Sequence, residues 1–156
     1  MSLIAALDEL ETLLKADTGV QAWLAKYSVR NKALTVLRTN RQVTDIPEKI
    51  LPCLIFELPQ GNFGDRENGG LRQNFEHEVD LVFALQVGRH DYKKAFDARI
   101  ELVDQVLPSF FLKQDRLANY VSDAKLLKFD TDSGVHFPKV FVQATISLTG
   151  KCKRDI

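Results

Sequence analysis

From Phe75 to Arg89 hydrophobic and polar positions alternate almost without a break. Phe75, His77, Val79, Leu81, Phe83, Leu85 and Val87 fall on one side, and Glu76, Glu78, Asp80, Val82, Ala84 and Gln86 on the other. Successive side chains of an extended chain point to opposite faces, so this stretch predicts one long, half-buried antiparallel strand. The acidic residues occupy the first half of the second face, which predicts a solvated half, while Val82 and Ala84 predict a cover over the other half. At Asp91 the period changes from two to that of a helix. Phe96, Ile100, Val103 and Leu107 then form a stripe, widened by Ala95, Leu102 and Val106, and Asp91 suits the N-cap position.

Other segments repeat these two patterns. Ser2–Lys15 predicts a helix on the stripe Leu3, Leu7, Leu10 and Leu14, and Gly19–Lys26 a second one opened by a Thr18–Gln21 capping box. In that second helix Trp23 reads as a core anchor whose N–H must find an acceptor. Lys32–Thr39, Pro52–Leu58, Tyr120–Phe129 and His136–Thr149 read as strands, with a helical turn at Asp45–Lys49. Pro52–Leu58 is apolar on both sides, as an interior strand must be. Pro108 is expected to end or kink the long helix, with Phe110 and Phe111 in the core. The fold class expected is therefore α+β: a mainly antiparallel sheet of four to five strands with helices packed on one face, in a single domain over residues 1–150. Residues 59–74, with four glycines and few apolar side chains, read as a long flexible Gly-rich loop or hairpin arm, and 151–156 as a short tail.

Composition narrows the function by exclusion. At 156 residues, 45% apolar and 27% charged, the chain has the make-up of an ordinary globular domain. Twenty-one basic residues balance twenty-one acidic ones, which gives no general pull toward nucleic acid or anionic lipid and little repulsion between copies. The longest apolar run, Ile50–Leu58, is interrupted by Pro52 and Glu57 and predicts no membrane span. Asp8, Glu9 and Glu11 interrupt the place of a signal-peptide core.

Candidate chemistry is equally sparse. His77, His90 and His136 are scattered rather than spaced as metal ligands, and Cys53 and Cys152 form no pair motif. There is no Gly-x-Ser-x-Gly elbow and no phosphate-cradling glycine motif. The expectation is of a non-enzyme without catalytic residues, cofactor or metal, and without dedicated nucleic-acid binding.

The order of elements nevertheless has a likeness. Ser2–Lys15, Pro52–Leu58 with its leading proline, Phe75–Val87 running into Asp91–Leu107, and the closing His136–Thr149 together resemble the tail terminator and tail-completion proteins of long-tailed phages and prophages. The resemblance implies an α+β subunit that forms a ring, usually of six copies, on the end of the tail tube. Such a ring stops tail polymerisation and offers a surface to the head connector. The implied partners are further copies of the chain, the tail tube protein and the head–tail connector protein; the implied location is the host cytoplasm during assembly and then the virion tail. On that reading Arg66 and Arg72, on the arm, and the outward Val82, Ala84 and Phe141 are the candidate assembly contacts. A neck or head-completion protein of the same kind of virion shares the build and stays open. So does a small enzyme or ligand-binding α+β domain, which would need a concave site with converging polar groups.

Overall fold

One strand, β4 (Arg72–Gln86), has another strand along its whole length on one side and two strands end to end on the other. The computed structural model describes residues 3–38, 46–67, 72–114 and 121–153. The side chains of 62–67, 72–73, 121–122 and 151–153 lie outside that description. Ser2 and Asp45, which suit helix caps by residue type, and Asp115–Asn119, whose sequence suits a turn or short helix, fall outside the described residues.

The full-length partner is β6 (Lys139–Lys153), antiparallel from Arg72 opposite Lys153 to Gln86 opposite Lys139. On the other side β2 (Cys53–Phe56) pairs with Leu81–Ala84, and β3 (Gln60–Glu67) continues in the same direction against Arg72–Glu78. The short β1 (Thr35–Arg38) lies parallel to β2, and β5 (Val121–Thr131) closes the other side against β6. The described sheet thus runs β1-β2-β4-β6-β5, with β3 on β4 in line with β2. The α+β class and the interior place of β2, whose four residues are all buried, agree with the sequence pattern.

Three sequence expectations change. The stretch 59–74 is strand over Gln60–Glu67 and again from Arg72, so its described backbone is a ladder rather than a loop. A bulge between Phe63 and Arg66 absorbs the Gly64–Asp65 step. Gly61 crosses β4 so closely that a Cβ there would strike the Glu76 carbonyl, which explains one of the glycines that had suggested a loop. Likewise β6 continues to Lys153, into the expected tail. The second helix is capped by Asp17, whose carboxylate accepts from the Val20 N–H at 2.9 Å, one residue earlier than the Thr18 box.

Among the described residues the α-helices lie on one face of the sheet. α1 (Leu3–Ala16) and α2 (Thr18–Tyr27) pack beside α3 (Tyr92–Glu101), a π-helical segment (Leu102–Val106) and α4 (Leu107–Phe111). Asp91 stands at the N-cap of α3 but makes no side-chain capping bond. Trp23 locks α2 to α3: its indole N–H donates to the Ala98 carbonyl at 2.9 Å, and its ring meets Phe83 edge-on at 6.4 Å. Pro108 does not end the long helix. It has no N–H to give and its ring crowds the carbonyl one turn back. The wider π turn just upstream, closed by Leu107 N–H on the Leu102 carbonyl, carries the axis past it. Phe110 and Phe111 are buried beyond it, as expected.

The turn from β5 to β6 is fixed by one carboxylate. Asp132 accepts from Arg99 at both oxygens (Nε 2.7 Å, Nη2 3.1 Å), and also from the Gly134 and Phe141 backbone N–H groups at 3.2 and 3.3 Å. Both side chains of this ion pair are only 12% exposed, so the charge-assisted bonds act in a partly desolvated place. Asp132→Ala strands the guanidinium and two backbone donors; unfolding in urea should register a loss of about 2–4 kcal/mol. Asp132→Asn, which keeps the acceptor oxygen but not the charge, should lose less.

Candidate assembly surfaces

The sheet face away from the helices is divided in two. Toward the start of β4 it is polar: Glu76 and Glu78 are exposed, and Thr145 and Ser147 of β6 donate to Asp80 and Glu76 at 2.5 and 3.3 Å. Both hydroxyl residues are nearly covered, at 3% and 4% exposure, so these bonds satisfy groups that water does not reach. Toward the end of β4 the same face is apolar. Cys53, Ile55, Val82, Ala84 and Phe141 form a second core there with Ile46 and Leu51, from the segment that precedes β2. The cover that the alternation of β4 required is therefore part of this chain.

That finding corrects three of the proposed contacts. Val82, Ala84 and Phe141 are 2%, 1% and 5% exposed, and they touch their own chain rather than a neighbour. An outward phase on a strand says which face a residue is on. It cannot say that a distant segment folds back over that face. Arg66 and Arg72 are different: the backbone places them in the β3–β4 hairpin, Arg72 opposite both Glu67 and Lys153, and their side chains lie outside the described part. The structure thus separates the five residues into a buried trio and a pair at the far end of the sheet.

The surface that sequence reasoning missed lies on α3. Ala95, Ala98, Leu102 and Val106 face the core, whereas Phe96 and Ile100 are 64% and 48% exposed. Small alanines let the helix approach the sheet closely, and the π turn shifts the phase of everything after it. A single straight stripe from Phe96 to Leu107 therefore joins residues that do not share a face. The flank carrying Phe96 and Ile100 turns away from α2, which holds the other side through Trp23–Ala98 and the Lys26–Glu101 pair at 3.3 Å. It lies toward the β5–β6 side, where Arg99 reaches Asp132 and Tyr92 stacks on Phe137 at 4.3 Å. The legible signal was the run of alanines at 95 and 98.

The titratable groups show no converging set. Among the described residues no three His, Cys, Asp or Glu side chains gather as metal ligands. Burial pushes the Cys53 thiol up to about 11, which makes it a poor thiolate. Glu57 is raised, by burial first and by the Asp80 charge second, and burial lowers His77, which lies against Phe75 with ring centroids 4.9 Å apart.

Three hollows stand out among the described residues, and none of these gathers a reactive constellation. One of about 510 Å3, between α2 and residues 28–34, has Val20, Leu24 and Leu34 in its lining with Lys15, Arg30 and Lys32. One of about 300 Å3 lies at the start of α2, where Lys26 pairs with Glu101 and Lys113 with Asp17 at 3.8 Å. The third, about 230 Å3, is lined by Val82, Phe141, His136 and Asp132, the last already engaged by Arg99.

Two outcomes follow from this arrangement. Phe141→Ala should cost about 3 kcal/mol in a urea titration, as a buried phenylalanine truncation does, whereas Phe96→Ser should leave the midpoint nearly unchanged. For His77 the folded pKa is below its ordinary 6.5, so the unfolded chain takes up the proton first as pH falls. Stability should therefore decline on acidification through that range, and His77→Gln should flatten this part of the pH profile.

Neither a protein-family model nor a curated protein matches this chain. Among solved structures it is similar to a chain of the virion of a native gene transfer agent particle, with a TM-score of 0.55 and 12% identity. The likeness covers 97% of this chain and 100% of that one. At that identity it is a likeness of fold, extending over both chains almost end to end.

Proposed function

We propose that this protein is a structural component of a phage-like virion that works by assembly rather than catalysis. In its sharper form, it is a tail terminator: a ring of copies that closes the tail tube and receives the head connector. The observation that carries the reading is the end-to-end similarity to one chain of a gene transfer agent virion. It spans the whole chain, and the order of elements it covers is the one that resembles tail terminators. Because one fold serves many functions, the reading also rests on the character of the described surface. The three hollows gather no reactive groups, and the exposed aromatic flank of α3 suits contact with another protein better than chemistry. During assembly such a protein acts in the host cytoplasm, and afterwards in the virion tail.

The experiment is to add the purified protein to polymerising tail tube protein. A terminator halts extension and appears as a ring, expected to be of six copies, at one end of each tube. A protein that leaves tube length unchanged and binds the purified connector instead is a neck or head-completion protein; one that does neither defeats the reading. Arg66→Ala with Arg72→Ala should weaken tube capping by about tenfold or more, as expected of residues that contact the tube.

A further inference from the structure

β5 ends the sheet, and among the described residues nothing pairs with its outer edge. Its register with β6 tells which way each side chain points. Lys125, Lys128 and Asp130 stand opposite Ser147, Thr145 and Gln143, and so share the face away from the helices. Leu126 and Phe129 stand opposite Ile146 and Ala144, on the helix face, with Leu127 as the extra residue of a bulge between Leu126 and Lys128. Phe129 is 54% exposed, and the α3 flank bearing Phe96 and Ile100 lies toward the same side of the molecule.

Lysines and a bulge ordinarily keep an edge from accepting a foreign strand. This edge is nevertheless its own complement. If two β5 strands run antiparallel about a two-fold axis between Leu127 and Lys128, Lys125 of each faces Asp130 of the other and Leu126 faces Phe129. Every such pair joins residues on the same face, as antiparallel neighbours must be. Sliding the pair by two residues would put Lys125 against Lys128 and Asp123 against Asp130, like charges at both places. A further slide of two would oppose Leu126, on the helix face, to Lys125, on the other. Of these three registers, charge and facing together favour the first. In that register the two bulges meet at the axis, and Phe129 of both copies stands beside it on the helix side.

We propose that the β5 edge is a two-fold contact between two copies of this chain, zipped by reciprocal Lys125–Asp130 pairs and sealed by Leu126 against Phe129. A contact of this kind uses the same patch on both partners and closes after two copies. It is therefore separate from a head-to-tail ring, and it stands or falls without the function proposed above. In a single copy Lys125 reaches Asp123 at 3.3 Å and is otherwise exposed, so it can turn to a partner at small cost.

The test is sedimentation of the full chain across a concentration series, with variants at the three positions. Lys125→Asp or Asp130→Lys alone should raise the dimer dissociation constant by about tenfold, since each places like charges twice across the axis. The double variant, with the pair reversed, should return to within about threefold of the original. Phe129→Ser should also weaken the pair by about tenfold, and circular dichroism should show all four variants folded. A protein that stays monomeric up to about 100 μM, or a dimer indifferent to the charge reversal, overturns the proposal. A monomer that still caps tubes removes this contact and leaves the terminator reading intact; a dimer that caps nothing does the reverse.

Discussion

The ladder between β4 and β6 is the constraint on which the other elements depend. It is antiparallel over fifteen residues of each strand, so a slip by one position would turn every side chain of one strand to the wrong face relative to the other. That slip is forbidden energetically because the helix face of the ladder is apolar throughout: Val79, Leu81, Phe83 and Leu85 of β4 meet Val140, Val142, Ala144, Ile146 and Leu148 of β6 under the helices. Each of the larger of those side chains gains about 1.5–3 kcal/mol by leaving water, and those of the slipped strand would lose it together. The other face adds a second lock, since Thr145 and Ser147 find their carboxylate acceptors only in this register.

The helical layer inherits its position from the ladder through two polar anchors rather than through hydrophobic fit alone. Trp23 ties α2 to the Ala98 carbonyl, and Arg99, the next residue, ties α3 to Asp132 at the end of β5. One helical turn thus faces two ways, toward its neighbouring helix and toward the hairpin of the last two strands. Apolar contacts can slide; these bonds have direction, and they fix how far α3 is rotated about its own axis. That rotation puts the alanines down and leaves Phe96 and Ile100 outside.

What was legible in the sequence was local and periodic. The alternation of β4 and β6, the two-sided burial of β2, the tryptophan anchor and the α+β class all follow from side chains placed by their immediate neighbours in the chain. What was not legible depended on segments far apart in sequence. Nothing in residues 82–84 announces that Ile46 and Leu51 will lie over them, so Val82, Ala84 and Phe141 looked outward when they were interior. The glycines of 59–74 suggested freedom, whereas Gly61 is there because a backbone carbonyl passes too close for any side chain. The two apolar faces of the sheet differ in kind as well: one is covered by helices long enough to declare themselves by period, the other by a segment with a single helical turn, Glu48–Ile50, too short to show one.

The π-helical segment at Leu102–Val106 has a consequence for how length and phase are related in this chain. An ordinary helix advances about 100° per residue, so a turn holding one additional residue dials all that follows by that angle. Upstream the dial is set by Ala95 and Ala98 against the sheet; downstream it is set by Leu107, Phe110 and Phe111. Removing a single residue from Leu102–Val106 would restore a straight helix of nearly the same length and yet leave the two halves out of step. Either the phenylalanines beyond Pro108 would swing toward water or the aromatic flank before it would be driven inward. Residue count within that one turn thereby acts as a combination: the chain can keep a buried end and a greasy exposed middle on a single rod only because the rod is one residue out of true.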